Sequence, residues 1–163
     1  MPITGIIARP NLWVKEIQDN PWLLGSPTFG GNPLACSAAL ATIKYMIDYD
    51  IPKQAAEKGE YLITALNGLA KKYPNVIEEV RGVGLMIGVE FYTSEVGYLI
   101  SKGMFKRKVM IAGTLVNSKT IRFEPAATIS YEDLDKVIER LDLVLKEVRC
   151  EYFDLNNKIV ESI

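Results

Sequence analysis

The chain of 163 residues balances 19 Lys+Arg against 20 Asp+Glu for a formal net charge of −1, which leaves no electrostatic footprint for nucleic acid or an anionic membrane. It contains no histidine, so Ser/His and Cys/His nucleophile systems and the usual zinc sites are excluded within it. Its two cysteines, Cys36 and Cys150, stand far apart in no metal-type spacing and fit a reducing, cytoplasmic setting, while the apolar runs are too short for a signal peptide or a membrane span.

The length suits one domain able to bury about two-thirds of its unfolded surface. Pro2 to Ala8 is a short apolar run that reads as a strand, and Asn11 to Ile17 as a helical turn or short helix. The stretch from Asp19 to Gly31 holds Pro21, Gly25 and Pro27 and is expected to be irregular. Asn32 to about Tyr49 predicts a helix apolar on most faces, which implies burial between layers, with Cys36 packed as a small hydrophobe. A second helix runs from Ile51 or Pro52 to Tyr73, with apolar positions at Ala55, Leu62, Leu66 and Leu69, and Pro74 ends it.

Beyond Asn75 the period changes, which sets a domain boundary between residues 1–74 and 75–163. Val76 to Val80 and Leu85 to Phe91 read as strands separated by a turn at Gly82 and Gly84. Val96 to Lys106 reads as a helix with Leu99, Ile100 and Met104 inward. Val109 to Ala112 and Thr120 to Phe123 return as strands across a turn at Thr114 to Lys119. The last helix begins at Ser130, with Asp133 three residues on as a near capping box, and carries Leu134, Val137, Ile138, Leu141, Leu145 and Val148. The fold class is α+β: an antiparallel sheet with helices on one face, preceded by a helical arm. Residues 150–163 lack a clear period and are not assigned.

One stretch carries chemistry. Thr28 to Cys36 reads TFGGNPLAC: the glycine pair permits positive φ and converging N–H groups, Asn32 is a good N-cap, and Pro33 suits the first helical position. The helix's free N–H groups and positive dipole end, beside the Thr28 hydroxyl, predict a phosphate or carboxylate site. An ordinary loop-to-helix junction that binds nothing has the same signature.

TFGGNPLAC followed by SAALATI resembles the class III aminotransferases, which use pyridoxal phosphate. PITGII at Pro2 to Ile7 is similar to the strand that follows the family's Schiff-base lysine, and VRGVGLMIGVE at Val80 to Glu90 is similar to the R-G-x-G-L-M segment that opens its small domain. SEVGY at Ser94 to Tyr98 and AGTLVNSKTIRFEP at Ala112 to Pro125 are most similar to the putrescine-using branch. The resemblance covers nearly the whole chain in the family's order. It implies the C-terminal part of a fold-type I transferase, with residues 1–74 closing the large domain and 75–163 forming the small one.

The same resemblance implies roles. Thr28 would hydrogen-bond the cofactor phosphate of the neighbouring subunit in a homodimer with shared sites. A second hydroxyl usually precedes that threonine; Pro27 stands there instead, and Ser26 is the candidate substitute. Arg122 would receive a substrate carboxylate, as a planar guanidinium does bidentately; alone in a strand it would simply pair with Glu124 or another surface acid. The E-P-P-L pattern is replaced by Glu124, Pro125, Ala126 and Ala127, which loosens that side of the pocket. Arg81 is expected to brace a turn through backbone carbonyls, Glu90 to be an inward acid or a rim charge paired with a lysine, and Trp13, Trp22 and Phe29 to line a ligand entrance or pack in a core or dimer interface. No lysine matches the catalytic position, so the Schiff-base lysine is expected upstream of Met1 and the 163 residues alone are expected to be inactive. The substrates implied are putrescine and 2-oxoglutarate. Ornithine, acetylornithine or 4-aminobutyrate, or a non-catalytic dimerisation module, are the alternatives.

Overall fold

The computed structural model describes residues 3–20, 22, 28–114 and 117–150. Compactness divides them into one unit up to Asp50 and another from Ile51.

The first unit is helical. A 3-10 helix at Pro10–Leu12 leads into α1 (Lys15–Asp19), and α2 spans Pro33–Asp48. Asn32 caps α2, its Oδ1 accepting from Leu34 N at 3.0 Å and Ala35 N at 3.2 Å, and Asp50, with φ 46°, ends the run. Two expectations need correction. Residues 3–9 form no strand, because no ladder partner for them exists among the described residues. Within α2 only Ala35 is buried, and Leu34, Leu40, Ile43 and Ile47 are exposed, so the apolar composition there is not matched by burial.

The second unit is α+β. It runs α3 (Ile51–Lys72), β1 (Ile77–Val83), β2 (Met86–Phe91), α4 (Ser94–Lys106), β3 (Ala112–Gly113), β4 (Thr120–Phe123) and α5 (Tyr131–Val148). The strands form one antiparallel sheet in the order β1-β2-β4-β3. Alternation sends Ile87, Val89 and Phe91 of β2 and Ile121 and Phe123 of β4 to one face. There they meet Leu62, Leu66 and Leu69 of α3, Val96, Ile100 and Met104 of α4, and Leu134, Leu141 and Leu145 of α5. All three helices therefore cover one face, as the pattern predicts, and no other described element of this unit covers the opposite, open face. Thr93 and Ser130 cap α4 and α5 through their hydroxyls. Truncating a side chain as enclosed as Leu66, at 0% exposure, removes about 2–5 kcal/mol.

Although the residue period changes after Asn75, α3 belongs to the compact unit that begins at Ile51. Element type changes at the later point and contact at the earlier one. The hairpin also differs from expectation: β1 continues through Gly82, which pairs with Ile87, and the reversal is made at Gly84, with φ 56°. Of these two glycines, Gly84 uses the left-handed region and Gly82 does not. Gly59 of α3 crosses this turn so closely that a Cβ on it would stand 2.1 Å from Gly84 O. The third strand is shorter than the sequence suggests, because residues 109–111 run outside the ladder with Val109 and Ile111 half-buried against the core.

Candidate functional site

In the first unit, Thr28 to Gly31 form an exposed turn at the start of α2. Gly31 takes φ 67° and Asn32 N donates to Phe29 O at 3.3 Å. The helix amides expected to face an anion are already engaged, because Asn32 Oδ1 takes those of Leu34 and Ala35, Pro33 has none, and Cys36 N donates to Asn32 O at 2.9 Å. The donors left are the Thr28 hydroxyl and the N–H groups of the turn itself, which make no hydrogen bond to a described residue. No acid lies in the first turn of α2. This donor set, neutral and free of carboxylates, suits a phosphate dianion. A cavity of about 270 Å³ adjoins it, lined by Ile3, Thr4, Phe29, Ala35 and the half-buried Cys36. Ser26 and Pro27 lie outside the described residues. Trp22 and Phe29 are exposed and Trp13 is half-buried, so none of the three is a core residue.

In the second unit, Arg122 stands on the open face of β4. Register places it across from Gly88 on β2 and Ala112 on β3, and Gly88 lies across from Arg81 on β1. The row therefore carries two guanidinium side chains on either side of a residue with no side chain. Arg122 Nη1 lies 3.1 Å from Glu124 Oε1, both half-exposed, so the sequence-local pairing forms. Beside the pair opens an apolar cavity of about 470 Å³ whose walls include Leu62, Met110, Phe123, Pro125 and Ile129.

Arg81 is held differently from expectation. Its guanidinium meets side-chain carboxylates and not turn carbonyls, at 2.6 Å from both Glu79 and Glu90. Glu90 is a half-buried acid whose partner is this arginine and not a lysine, with Asn117 Nδ2 donating to it at 3.2 Å. The bond from Arg81 is the main reason the Glu90 carboxyl is held below its ordinary value, and Glu90 raises Arg81 in return. The buried Thr120 hydroxyl makes no hydrogen bond among the described residues, yet as a polar neighbour of the same carboxylate it also lowers that carboxyl. Arg81 thus ties β1 to β2, a structural role.

Thr28 falls in the first unit and Arg122 in the second. Sequence reading passed over Lys58, which is buried on α3; its place on the stripe of Ala55, Leu62, Leu66 and Leu69 was the available signal.

The class-III aminotransferase family profile matches residues 2–145. Among solved structures, the chain resembles a lysine aminotransferase from M. tuberculosis at 27% identity and TM-score 0.74, covering 83% of this chain and 32% of that one. It resembles a phospholyase from Arthrobacter, solved with phosphoethanolamine, at 25% identity and TM-score 0.72, covering 81% and 33%. A transaminase solved with L-alanine, at 23% identity and TM-score 0.74 over 86% of this chain and 35% of the other, shares the fold. The chain thus spans about a third of the length of these enzymes. With that profile spanning nearly the whole chain and the fold shared with these enzymes, this chain belongs to the class-III aminotransferases.

Proposed function

We propose that these residues are the C-terminal portion of a pyridoxal-phosphate-dependent aminotransferase that moves an amino group from a diamine such as putrescine to 2-oxoglutarate, acting as a cytoplasmic homodimer with shared active sites. Residues 1–74 would close its large domain and 75–163 form its small one. The observation that carries the reading is Arg122, a cation on an open sheet face, across from Gly88 and Ala112, with a half-exposed glutamate as its ion-pair partner.

The cofactor, when bound, supplies an electrophilic carbonyl and an electron sink. This chain's own contribution is binding and orientation. Thr28 Oγ1 and the N–H groups of the 28–31 turn donate to the phosphate, with Ser26 as a further candidate donor. Arg122 exchanges Glu124 for a substrate carboxylate, which its planar fork receives through two parallel bonds. Glu124, released from that pair, offers a negative charge to an ammonium group. A bifunctional amine and a dicarboxylic keto acid are the substrates such a pair accommodates, and the Ser94–Tyr98 and 112–125 segments favour the diamine over ornithine, acetylornithine or 4-aminobutyrate. The lysine that carries the cofactor belongs to a part of the enzyme outside these residues, so the 163-residue chain alone is expected to be inactive.

In the complete enzyme, Arg122→Met is expected to raise the KM for 2-oxoglutarate about 100-fold, the loss of a charge-assisted pair worth about 2.7 kcal/mol. Single-turnover reaction with putrescine is expected to stay within about twofold. An unchanged KM for 2-oxoglutarate refutes the role of Arg122, and preference for another amine in a side-by-side panel refutes the diamine assignment. The exposed Leu34, Leu40, Ile43 and Ile47 of α2 favour a second reading, a non-catalytic association module; a monodisperse monomer in sedimentation counts against it.

A further inference from the structure

Lys58 is the charged side chain that the fold buries, at 8% exposure among the described residues. Its Nζ donates to Ala127 O at 3.2 Å and to Gln54 Oε1 at 3.4 Å. Among the described residues no carboxylate lies within ion-pair distance of it. Its stem is buried while its ammonium meets neutral oxygens, and an unbranched apolar side chain would fill the same space with no ammonium to partner. Packing therefore does not account for a lysine at this position.

The acceptor does. Ala127 lies midway along the segment that joins β4 to α5, between Glu124 and Pro125, which border the apolar cavity with Arg122, and Ser130, which caps α5. Ala126 is exposed and Ala127 half-buried, and both are too small to anchor the backbone by packing. The segment has one backbone bond of its own, Ile129 N to Ala126 O at 2.9 Å. Lys58 reaches it from α3, one helical turn before Leu62, which lines the same cavity.

We propose that Lys58 is a positioning residue for the carboxylate site: by holding Ala127 O it fixes the 124–130 segment, and so the Glu124 partner of Arg122, at the cavity rim. The inference rests on the reading of Arg122 as the carboxylate receptor. Lys58 touches neither substrate nor cofactor in this role and acts through the backbone of Ala127.

Three forms test it: the natural sequence, Lys58→Met, which keeps the unbranched stem and removes the donors, and Lys58→Arg, which restores a donor. Amide hydrogen exchange on the 163-residue chain reads the tether directly. Residues 124–130 are expected to exchange about tenfold faster in Lys58→Met, with α4 unchanged and the Arg form close to the natural one. Unchanged exchange at 124–130, or acceleration spread equally over α4, overturns the tether. Kinetics on the complete enzyme read the positioning. Lys58→Met is expected to raise the KM for 2-oxoglutarate about tenfold while the KM for the amine moves less than twofold, with recovery in Lys58→Arg. Equal shifts in both KM values overturn the link to Arg122. If the Arg122→Met enzyme keeps its KM for 2-oxoglutarate, the function assigned to Arg122 fails, and the exchange result still decides whether Lys58 holds the segment.

Discussion

A single methyl group on Gly59 tests the close approach of α3 to the β1–β2 turn. Alanine in place of glycine in a helix interior ordinarily stabilises by about 1 kcal/mol. At Gly59 the new Cβ would stand 2.1 Å from Gly84 O, 2.3 Å from Gly84 C and 2.6 Å from Gly84 Cα, all backbone atoms. Gly84 holds φ 56° and makes the β1–β2 reversal, so the hairpin cannot retreat by rotating a side chain. Overpacking of this kind costs about 3 kcal/mol, which leaves a net loss of about 2 kcal/mol after the helix gain. At about 3 °C per kcal/mol for a chain of this size, Gly59→Ala is expected to melt about 6 °C lower by circular dichroism. Gly68, on the same helix with nothing within 4 Å of a built Cβ, supplies the matched control, and Gly68→Ala is expected to gain about 0.5–1 kcal/mol. Opposite signs for the two changes confirm the contact. A Gly59→Ala chain that melts at or above the natural temperature refutes it.

Two further outcomes follow from polar contacts. Glu90 is held below its ordinary carboxyl value of 4.5 chiefly by Arg81, so the stabilisation it contributes is complete above that value and is lost as pH falls through the lowered folded-state value. Glu90→Gln is therefore expected to flatten the acid limb of a stability–pH curve below about pH 5, and an acid limb identical to that of the natural chain contradicts the pairing. Asn32→Ala removes both bonds to Leu34 N and Ala35 N and is expected to cost about 1 kcal/mol of α2 stability, measured as faster amide exchange confined to the first turn of that helix. Exchange no faster there than in the natural chain refutes the cap.

Much of the second unit was legible because its signals are local. The stripe of Leu62, Leu66 and Leu69, the stop at Pro74 and the Ser130 cap each lie within one or two helical turns of the residues they organise. The hairpin was less legible, since Gly82 and Gly84 look alike in sequence and only the backbone shows that one sits in the ladder and the other takes positive φ. The Pro2 to Ala8 run has the composition of a strand, yet a strand is a property of two segments, and composition reports one. For the site, Thr28 and Arg122 were found through motifs, and the Arg122–Glu124 pair was readable because the partners are two residues apart. The engagement of the α2 amides follows from Asn32 as the cap, since the side-chain oxygen that caps the helix takes the amides an anion would need. Lys58 escaped because a lysine on a helix is ordinarily a solvent group, and its acceptor lies 69 residues away.

The strand order also sets a sequence of events for folding. The β1–β2 hairpin closes through a short turn, whereas Glu90 and Thr120 on β2 and β4 are about thirty residues apart with α4 between them. The hairpin can therefore zip on the microsecond scale, while the β2–β4 pairing must close a longer loop and is expected to form later. Arg122 takes its place across from Gly88 through that longer-range pairing, so the candidate carboxylate site is expected to be completed after the hairpin that supports it.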